Sequence, residues 1–260
     1  MEFPAELAAH RAALLKLVKP SATFEAYPAP AGLDIKSSKM GGVPFNPIYT
    51  DWPSSMVPDG HLTTKKRPQT FVGQFNFAEI VAAVPELLTS VPEKGLLQFF
   101  YDLEEGTWGS EYPKDLNFFT VAWYPDVDRM DHVPPEAPIP SYPEKEFALR
   151  FSYRLSLPET PYLPDDIELD EDEEEAYDEA FMHDVHHQIG GYPIPIQNDP
   201  MENLSFAHND DGGWQCLLQI DSDKTMNVMW FDQGTIYLGI KTNDLKNANP
   251  AYARMNLQCM

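Results

Sequence analysis

Short apolar runs, each bounded by proline, glycine or polar residues, recur through the middle and the end of this chain. Runs of this length with such boundaries are typical of β-strands, and the uninterrupted ones are typical of buried strands. They lie at Thr70–Asn76, Leu96–Tyr101, Leu116–Tyr124, Phe147–Leu157, Cys216–Asp221 and Gly234–Gly239. The pattern predicts a β-rich protein. The 25 prolines agree with it, because proline is excluded from helix interiors and central strands.

Helical spacing is confined to a few short segments. Apolar residues from Leu7 to Val18 recur three or four positions apart, and we expect Pro20 to end this N-terminal helix. The stretch Tyr27–Pro68 is punctuated by prolines and is expected to be irregular. Asn76 is followed three residues later by Glu79, which is the spacing of a capping box and predicts a short helix directly after a strand.

The net charge of −23 is concentrated in one part of the chain. Residues 155–223 contain 19 Asp and Glu and no Lys or Arg, and residues 165–179 alone contain 11 of these acids. Tyr177, Phe181 and Val185 recur every four residues, as on one face of a helix. We therefore expect a mobile acidic loop followed by an acidic helix that docks through its apolar face.

This acidic run suggests a class of partner. Its field repels nucleic acid and anionic lipid and steers cationic proteins towards the surface. A simpler alternative stays open, in which the acidic run is a solvated tract that only improves solubility. The candidate partner-binding residues are Asp165, Asp166, Glu168, Asp170, Glu171, Asp172, Glu173, Glu174 and Glu175.

The expected location is the cytoplasm. The chain has no apolar run of the roughly 18 residues that span a bilayer, and its N-terminus does not resemble a secretory signal. Its two cysteines, Cys216 and Cys259, form no disulfide framework and are expected to be small buried hydrophobes.

The chain contains an internal duplication of three motifs in the same order. Gly-Gly-x-Pro at 41–44 and 190–193 is followed by a strand with a central glutamine, Gln74 or Gln219, and then by a glycine that opens an apolar strand. The second glycine and the glutamine are separated by 32 positions in the first copy and 28 in the second. We expect two β-rich halves, roughly 36–130 and 186–260, packed against each other.

The predicted class is α+β, with two pseudo-repeated and mainly antiparallel halves, an N-terminal helix, and an acidic helix between the halves. The expected segments, within one compact unit, are an N-terminal helix and linker at 1–35, a first half with a Pro-rich extension at 36–157, an acidic insertion at 158–185 and a second half at 186–260.

Two interpretations of the buried glutamines stay open. An unpaired buried amide costs about 1–3 kcal/mol, so each glutamine is expected to bond backbone at the junction of the halves. In the alternative, the glutamines contact a ligand in a cleft between the halves. The residues of that candidate cleft are Gln74, Gln219, Asp221 and Trp230.

The duplicated motifs and their surroundings resemble the YwqG-like family of bacterial proteins over roughly residues 36–260. The resemblance is carried by Lys39–Pro44, Trp52 and Pro53, Gly73–Glu79, Gly95–Phe100, His187–Pro193, Leu217–Asp223, Trp230–Gly234, and Asp244 and Leu245. The chain departs from the family at Phe231, where glycine is usual, and this puts the turn there in question.

The resemblance implies no enzymatic activity that can be carried over residue by residue. The family has been related to eukaryotic programmed-cell-death and ribosome-biogenesis factors that chaperone a ribosomal protein. Some bacterial relatives are encoded beside polymorphic toxins and are proposed immunity proteins. The resemblance thus implies protein binding.

No catalytic constellation or cofactor motif is predicted. His183, His186 and His187 allow a metal site, although their position near the end of a helix also explains them. Asp221 and Asp223 begin a segment that lacks the glycine and glutamate of a calcium loop.

The sequence therefore predicts a non-enzymatic protein that binds a basic toxin or ribosomal-type protein. The alternative is a small-ligand binder or hydrolase that uses the cleft between the halves. Four aromatic residues in loops or at strand ends are candidate interface anchors if they are not core residues: Trp52, Trp108, Tyr112 and Trp123.

Overall fold

The computed structural model of the chain describes residues 3–48, 50–135, 140–182 and 187–260. The strands are β1 Lys19–Pro28, β2 Lys39–Met40, β3 Ser54–Pro58, β4 Thr64–Pro68, β5 Thr70–Asn76, β6 Leu96–Tyr101, β7 Phe119–Tyr124, β8 Phe147–Ser156, β9 His187–Gly190, β10 Trp214–Asp221, β11 Thr235–Lys241 and β12 Arg254–Gln258. The helices are α1 Arg11–Leu17, α2 Phe77–Ala83, α3 Glu171–Phe181, α4 Pro200–His208 and α5 Thr242–Lys246.

Ten of these strands form one antiparallel sheet, in the order β12-β11-β10-β9-β1-β8-β2-β5-β6-β7. The remaining two, β3 and β4, form a separate hairpin. The prediction of an α+β, mainly antiparallel fold is confirmed at the level of class. The predicted strands at Thr70–Asn76 and Leu96–Tyr101 have the expected bounds.

The middle of the sheet is the long antiparallel pair of β1 and β8, which runs from Lys19 opposite Ser156 to Pro28 opposite Phe147. The strand β1 was not predicted, because a helix was expected to end at Pro20 and an irregular stretch to begin at Tyr27. Both prolines lie outside the three residues of β1 that pair with β9, so they interrupt little of the ladder. The segment expected to be only a helix and linker therefore supplies a central strand.

The predicted N-terminal helix is present but short. A 3-10 turn at Glu6–Ala8 precedes α1, which ends at Leu17, and the chain is already extended at Val18. Pro20 therefore does not end the helix, as had been expected, but lies within β1.

The helix predicted after Asn76 is α2, and its N-cap is confirmed. The Asn76 side chain accepts a hydrogen bond from the backbone N–H of Ala78 (3.1 Å). The capping box is wrong, because the Glu79 carboxylate accepts from the backbone N–H of Ser38 (2.7 Å) instead. Glu79 thus ties α2 to the segment that leads into β2.

The main apolar core lies on one face of the sheet. Ile80 and Val84 of the α2 segment pack there with Phe75, Phe99 and many other buried side chains. The two edge strands come near each other, because β7 packs on the turn Pro250–Tyr252 that precedes β12. Among the described residues, no helix has the length and apolar character needed to cross a membrane.

Candidate functional site

The acidic surface is the group of nine candidate residues from Asp165 to Glu175 named above. The helix α3 begins inside it with a complete capping box: Asp170 Oδ1 accepts from the Glu173 backbone N–H, and Glu173 Oε2 accepts from the Asp170 backbone N–H, both at 3.0 Å. Eight of the nine side chains are exposed, and Glu173 is half-buried. Carboxylates in the first turn of a helix also interact favourably with its positive end.

The opposite face of α3 is fixed to the protein. Tyr177 and Phe181 are buried in a second apolar cluster with Leu7, Leu14 and Leu157. The Tyr177 hydroxyl donates to the Pro158 carbonyl (2.7 Å), and burial raises the pKa of Tyr177. The helix therefore presents its carboxylates from a fixed base, as its apolar spacing predicted. Val185 lies outside the described residues.

Gln74 is buried in β5 and is hydrogen-bonded throughout. Its Oε1 accepts from the backbone N–H of Phe45 (2.9 Å), and its Nε2 donates to the carbonyls of Ile35 and Ser37 (2.8 Å each). The Nε2 of Gln98 also donates to Gln74 Oε1 (3.2 Å). Gln74 thus closes the turn that contains the first Gly-Gly-x-Pro.

Gln219 holds the same kind of position in β10. Its Oε1 accepts from the backbone N–H of Ile194 (3.0 Å), the residue directly after the second Gly-Gly-x-Pro, and from Gln188 Nε2 (3.3 Å). Both glutamines bond backbone, which is the first of the two interpretations considered above. Each does so inside its own half of the sheet.

The four residues of the candidate inter-half cleft do not come together. Four strands separate β5 from β10, so Gln74 and Gln219 are five strand spacings apart, roughly 24 Å measured along the curved sheet. Trp230 is 1% exposed and packs edge-on against Tyr101 and Tyr142. Asp221 lines a cavity.

That cavity, of about 800 Å³, lies against β1 and beside the loop between β10 and β11. We call it the β1 cavity. Its lining comprises Thr23, Phe24, Glu25, Ala26, His187, Asp221, Ser222, Asp223, Lys224, Thr225, Val228, Met229, Gln233 and Met260. A volume of this size is typical of small-molecule pockets.

A histidine and a carboxylate meet at the wall of this cavity. His187 stacks on Phe24 with ring centroids 4.9 Å apart, and its Nδ1 accepts from the backbone N–H of Asp221 (3.1 Å). Because Nδ1 is an acceptor, the ring proton is on Nε2, which donates to Asp223 Oδ2 (3.1 Å). Asp223 Oδ1 accepts from the Thr225 backbone N–H (2.5 Å).

These hydrogen bonds keep Asp223 charged. The bond from His187 is the largest cause, and together with the Thr225 bonds it lowers the pKa of Asp223 to about 2. His187, with both nitrogens engaged, is not placed to act as a general base. The arrangement can present a fixed anionic group to a ligand.

Of the three histidines considered as metal ligands, only His187 lies within the described residues; His183 and His186 lie outside them. Among the residues that the structure describes, no group of three or more His, Cys, Asp or Glu side chains is placed to hold a metal ion. Asp221 Oδ1 accepts from the Ser222 backbone N–H (2.7 Å) and from Thr235 Oγ1 (2.9 Å), as expected of a turn residue.

The four candidate interface aromatics divide into two groups. Trp52 and Trp123 are partly buried and pack on Phe100 and Phe77. Trp108 and Tyr112 are 42% and 43% exposed. Trp108 stacks on the half-exposed Phe231 at 4.6 Å.

Phe231 has a φ of +51°. This is the left-handed region that glycine adopts readily and other residues adopt at a cost of about 1–2 kcal/mol. Phe231 therefore keeps a glycine-like turn, and its stacking against Trp108 helps to offset the strain.

A family model described as a domain of unknown function, DUF1963, matches residues 38–259. The chain belongs to this family. No curated protein matches the chain at a significant level. Membership in DUF1963 covers every strand from β2 to β12 but not the central strand β1. It assigns no chemistry, so the function rests on the surfaces described above.

The pairing of His187 with Asp223 was missed by the sequence analysis. The two residues are 36 positions apart and were considered separately, one for a metal and the other for a calcium loop. Their duplicated neighbours offered a signal, because His187 opens the strand that leads into the second Gly-Gly-x-Pro and Asp223 follows the strand of Gln219. Motif order alone does not show that these side chains meet.

Proposed function

We propose that this protein binds a basic protein partner through the acidic surface. The observation that carries the proposal is the packing of α3. One face of the helix is buried in the second apolar cluster, and the carboxylates of its first turn are largely exposed. A fixed array of like charges steers an oppositely charged partner and loses little conformational entropy on binding.

The surroundings of the helix strengthen this proposal. Residues 155–223 contain no Lys or Arg, so none of these acids is neutralised by a basic residue from its own segment. The nearby His10 approaches Glu173 at 3.4 Å, but the neighbouring carboxylates of Glu171, Asp172 and Glu175 are exposed. Proteins that bind nucleic-acid phosphates are basic, and an inhibitor or chaperone of such a protein needs a surface of this sign.

We further propose the finer identity suggested by the motifs, that of a YwqG-like protein acting in the cytoplasm as a toxin immunity protein or as a dedicated chaperone. Both roles require the same interaction, an acidic surface that covers a basic one. Membership in a family of unknown function is compatible with this proposal.

We also infer that the two halves of the sheet are copies of one unit. An axis through the Glu25–Arg150 pair exchanges β1 with β8 and relates β9-β10-β11-β12 to β2-β5-β6-β7. In the first half, Gln98 Nε2 donates to the carbonyl of Phe45 (2.6 Å). In the second, the Tyr237 hydroxyl donates to the carbonyl of Ile194 (2.6 Å). Shared register and shared hydrogen bonds support one ancestral unit.

The test of partner binding compares two variants with the same change in net charge. The first converts Asp166 and Asp172 to Asn, and Glu171 and Glu175 to Gln. The matched control changes four exposed acids elsewhere: Glu86→Gln, Glu93→Gln, Glu144→Gln and Asp232→Asn. Binding of an oligolysine peptide is measured by calorimetry at about 50 mM and about 300 mM salt, below and above physiological screening.

We expect the acidic-surface variant to bind the peptide at least about tenfold more weakly, a loss of about 1.4 kcal/mol. Its affinity should also depend less steeply on salt. The control variant should keep most of the affinity. Equal losses in the two variants would show that only net charge matters and would reject a localised docking surface.

A further inference from the structure

The β1 cavity occupies a part of the second half that differs from the first. After Asn76 the chain forms α2, which packs on β8. After Asp221, the corresponding residue, the chain forms a loop with no helix before β11. The cavity lies between this loop and β1, the strand that corresponds to β8. The missing helix leaves a site open on the core side of the sheet.

Asn76 and Asp221 make corresponding backbone hydrogen bonds in the two halves, but to different side chains. The backbone N–H of Asn76 donates to Ser38 Oγ (2.9 Å), and that of Asp221 donates to His187 Nδ1 (3.1 Å). Where the first half has a serine, the second half has a histidine, which reaches further and holds Asp223 at the cavity wall. The imidazole thus positions a carboxylate at the cavity wall, whereas in the first half the Glu79 carboxylate accepts from the backbone N–H of Ser38 and ties down α2.

The rest of the lining defines the chemistry of a ligand. The titratable residues around the cavity are Glu25, His187, Asp221, Asp223 and Lys224. Three carboxylates against one ammonium give the cavity a net negative charge, so an anionic ligand is disfavoured.

The apolar part of the cavity lining restricts the type of ligand as much as the charge does. Phe24 and Val228 are buried, and Met229 and Met260 are exposed at the cavity. A thioether side chain adapts its shape to varied apolar groups. A hydrated inorganic cation would gain nothing from this part of the wall, whereas an organic cation would bury its stem there.

We propose that the β1 cavity binds a primary alkylammonium group carried on an apolar stem, with the ammonium on Asp223 and the stem between Phe24 and Met229. The site uses no residue of the acidic surface and does not depend on the function proposed for that surface. The alkylammonium belongs either to a free amine or to a lysine side chain of a peptide.

The experiment uses three phenylalkyl probes with different head groups: the cationic 4-phenylbutylammonium, the neutral 4-phenylbutanol and the anionic 4-phenylbutyrate. A fourth probe, the dipeptide acetyl-Phe-Lys-amide, presents the same ammonium on a peptide. Binding to the full chain is measured by calorimetry, and the site is located by amide chemical shifts. We expect saturable binding of 4-phenylbutylammonium, the dipeptide or both, with shifts at Thr225 and Met229.

Two variants test the assignment of Asp223. Asp223→Asn removes the charge and should weaken ammonium binding at least about tenfold, as expected for a lost charge-assisted hydrogen bond. Met229→Lys places a competing ammonium at the half-exposed rim, where folding is little affected, and should weaken binding in the same direction. Asp211→Asn removes an exposed charge outside the cavity and should leave binding unchanged.

Three results would overturn the proposal. One is the absence of saturable binding by both ammonium probes. Another is binding of 4-phenylbutanol as tight as that of 4-phenylbutylammonium, since the carboxylate would then contribute nothing. The third is unchanged affinity in Asp223→Asn. Binding by only one of the two ammonium probes supports the site and identifies the source of its ligand.

Discussion

The two halves of the sheet share a hydrogen-bonded frame and differ in what is built on it. In both, a buried glutamine closes a Gly-Gly-x-Pro turn. The residue two positions after the glutamine donates its backbone N–H to a side chain at the start of the neighbouring strand or directly before it. The first half continues into α2 and a filled core, whereas the second continues into a loop beside the β1 cavity. The buried glutamines and their turns are alike in the two halves although the elements that follow them differ, so the first half keeps its core filled while the second has room for a site.

The largest expected loss of stability comes from replacing the buried glutamine that closes the turn in either half. Gln74→Leu leaves the backbone N–H of Phe45 and the carbonyls of Ile35 and Ser37 without the side chain that pairs them. At about 1–3 kcal/mol for each buried group left unsatisfied, the free energy of unfolding should fall by about 4 kcal/mol. Gln219→Leu should cost about 3 kcal/mol for the same reason.

Urea unfolding of both variants measures these losses. Gln197→Leu serves as the control, because Gln197 is exposed, and it should change the free energy of unfolding by less than about 0.5 kcal/mol. If one buried glutamine could be replaced without loss, the two halves would not depend on a common frame.

Much of this frame could be predicted from the sequence, because it is local. Gly-Gly-x-Pro, a central glutamine and a following glycine fix a turn and two strands, and these are present with nearly the expected bounds. The strand β1 was missed because a helix was expected up to Pro20 and irregular chain from Tyr27, although the segment buries Ala22 and Phe24 and exposes Glu25 and Tyr27.

The candidate site was less predictable for a geometric reason. Placing both glutamines in one cleft assumed that equivalent residues of the two halves face each other across a junction. The axis lies within the sheet at the β1–β8 pair, so equivalent residues move apart on opposite sides of it. The contact between His187 and Asp223 depends on the pairing of β9 with β10, which no motif spacing specifies.

A second and smaller loss of stability is expected when alanine replaces the first glycine of each Gly-Gly pair, and the loss should differ between the two pairs. Gly41 and Gly190 occupy equivalent positions with φ of +64° and +68°. A Cβ on Gly41 would lie 2.2 Å from the Pro143 carbonyl oxygen, whereas a Cβ on Gly190 would meet nothing nearer than 3.5 Å. Both substitutions by alanine incur about 1 kcal/mol of backbone strain, but only Gly41→Ala also forces backbone apart.

We expect Gly41→Ala to lower the free energy of unfolding by about 3 kcal/mol and Gly190→Ala by about 1 kcal/mol, because the overlap at Gly41 adds to the shared strain. Thermal or urea unfolding of the two variants checks the order. Equal losses would mean that the turn of the first half relaxes as easily as that of the second, and the packing difference between the halves would lose its support.

The smallest effect is a pH dependence expected where the second half has the pair His187 and Asp223 and the first half has the uncharged Ser38. The pKa of Asp223 is lowered from 3.8 to about 2 in the folded protein, chiefly by the hydrogen bond from His187. A depressed carboxyl pKa stabilises the fold above the unfolded value, so this contribution is present above about pH 4 and is lost as the pH falls towards 2. Because Asp223 is partly solvated, we expect this contribution to be worth about 1 kcal/mol.

Asp223→Asn should therefore be less stable than the parent at pH 6 and should approach it at pH 3. Ser38→Ala, which removes the uncharged acceptor for Asn76 in the first half, should cost about 1 kcal/mol at both pH values. Urea unfolding of the three proteins at pH 6 and pH 3 separates the two behaviours, and a loss in Asp223→Asn that did not change with pH would show that the carboxylate contributes no more than the neutral serine does.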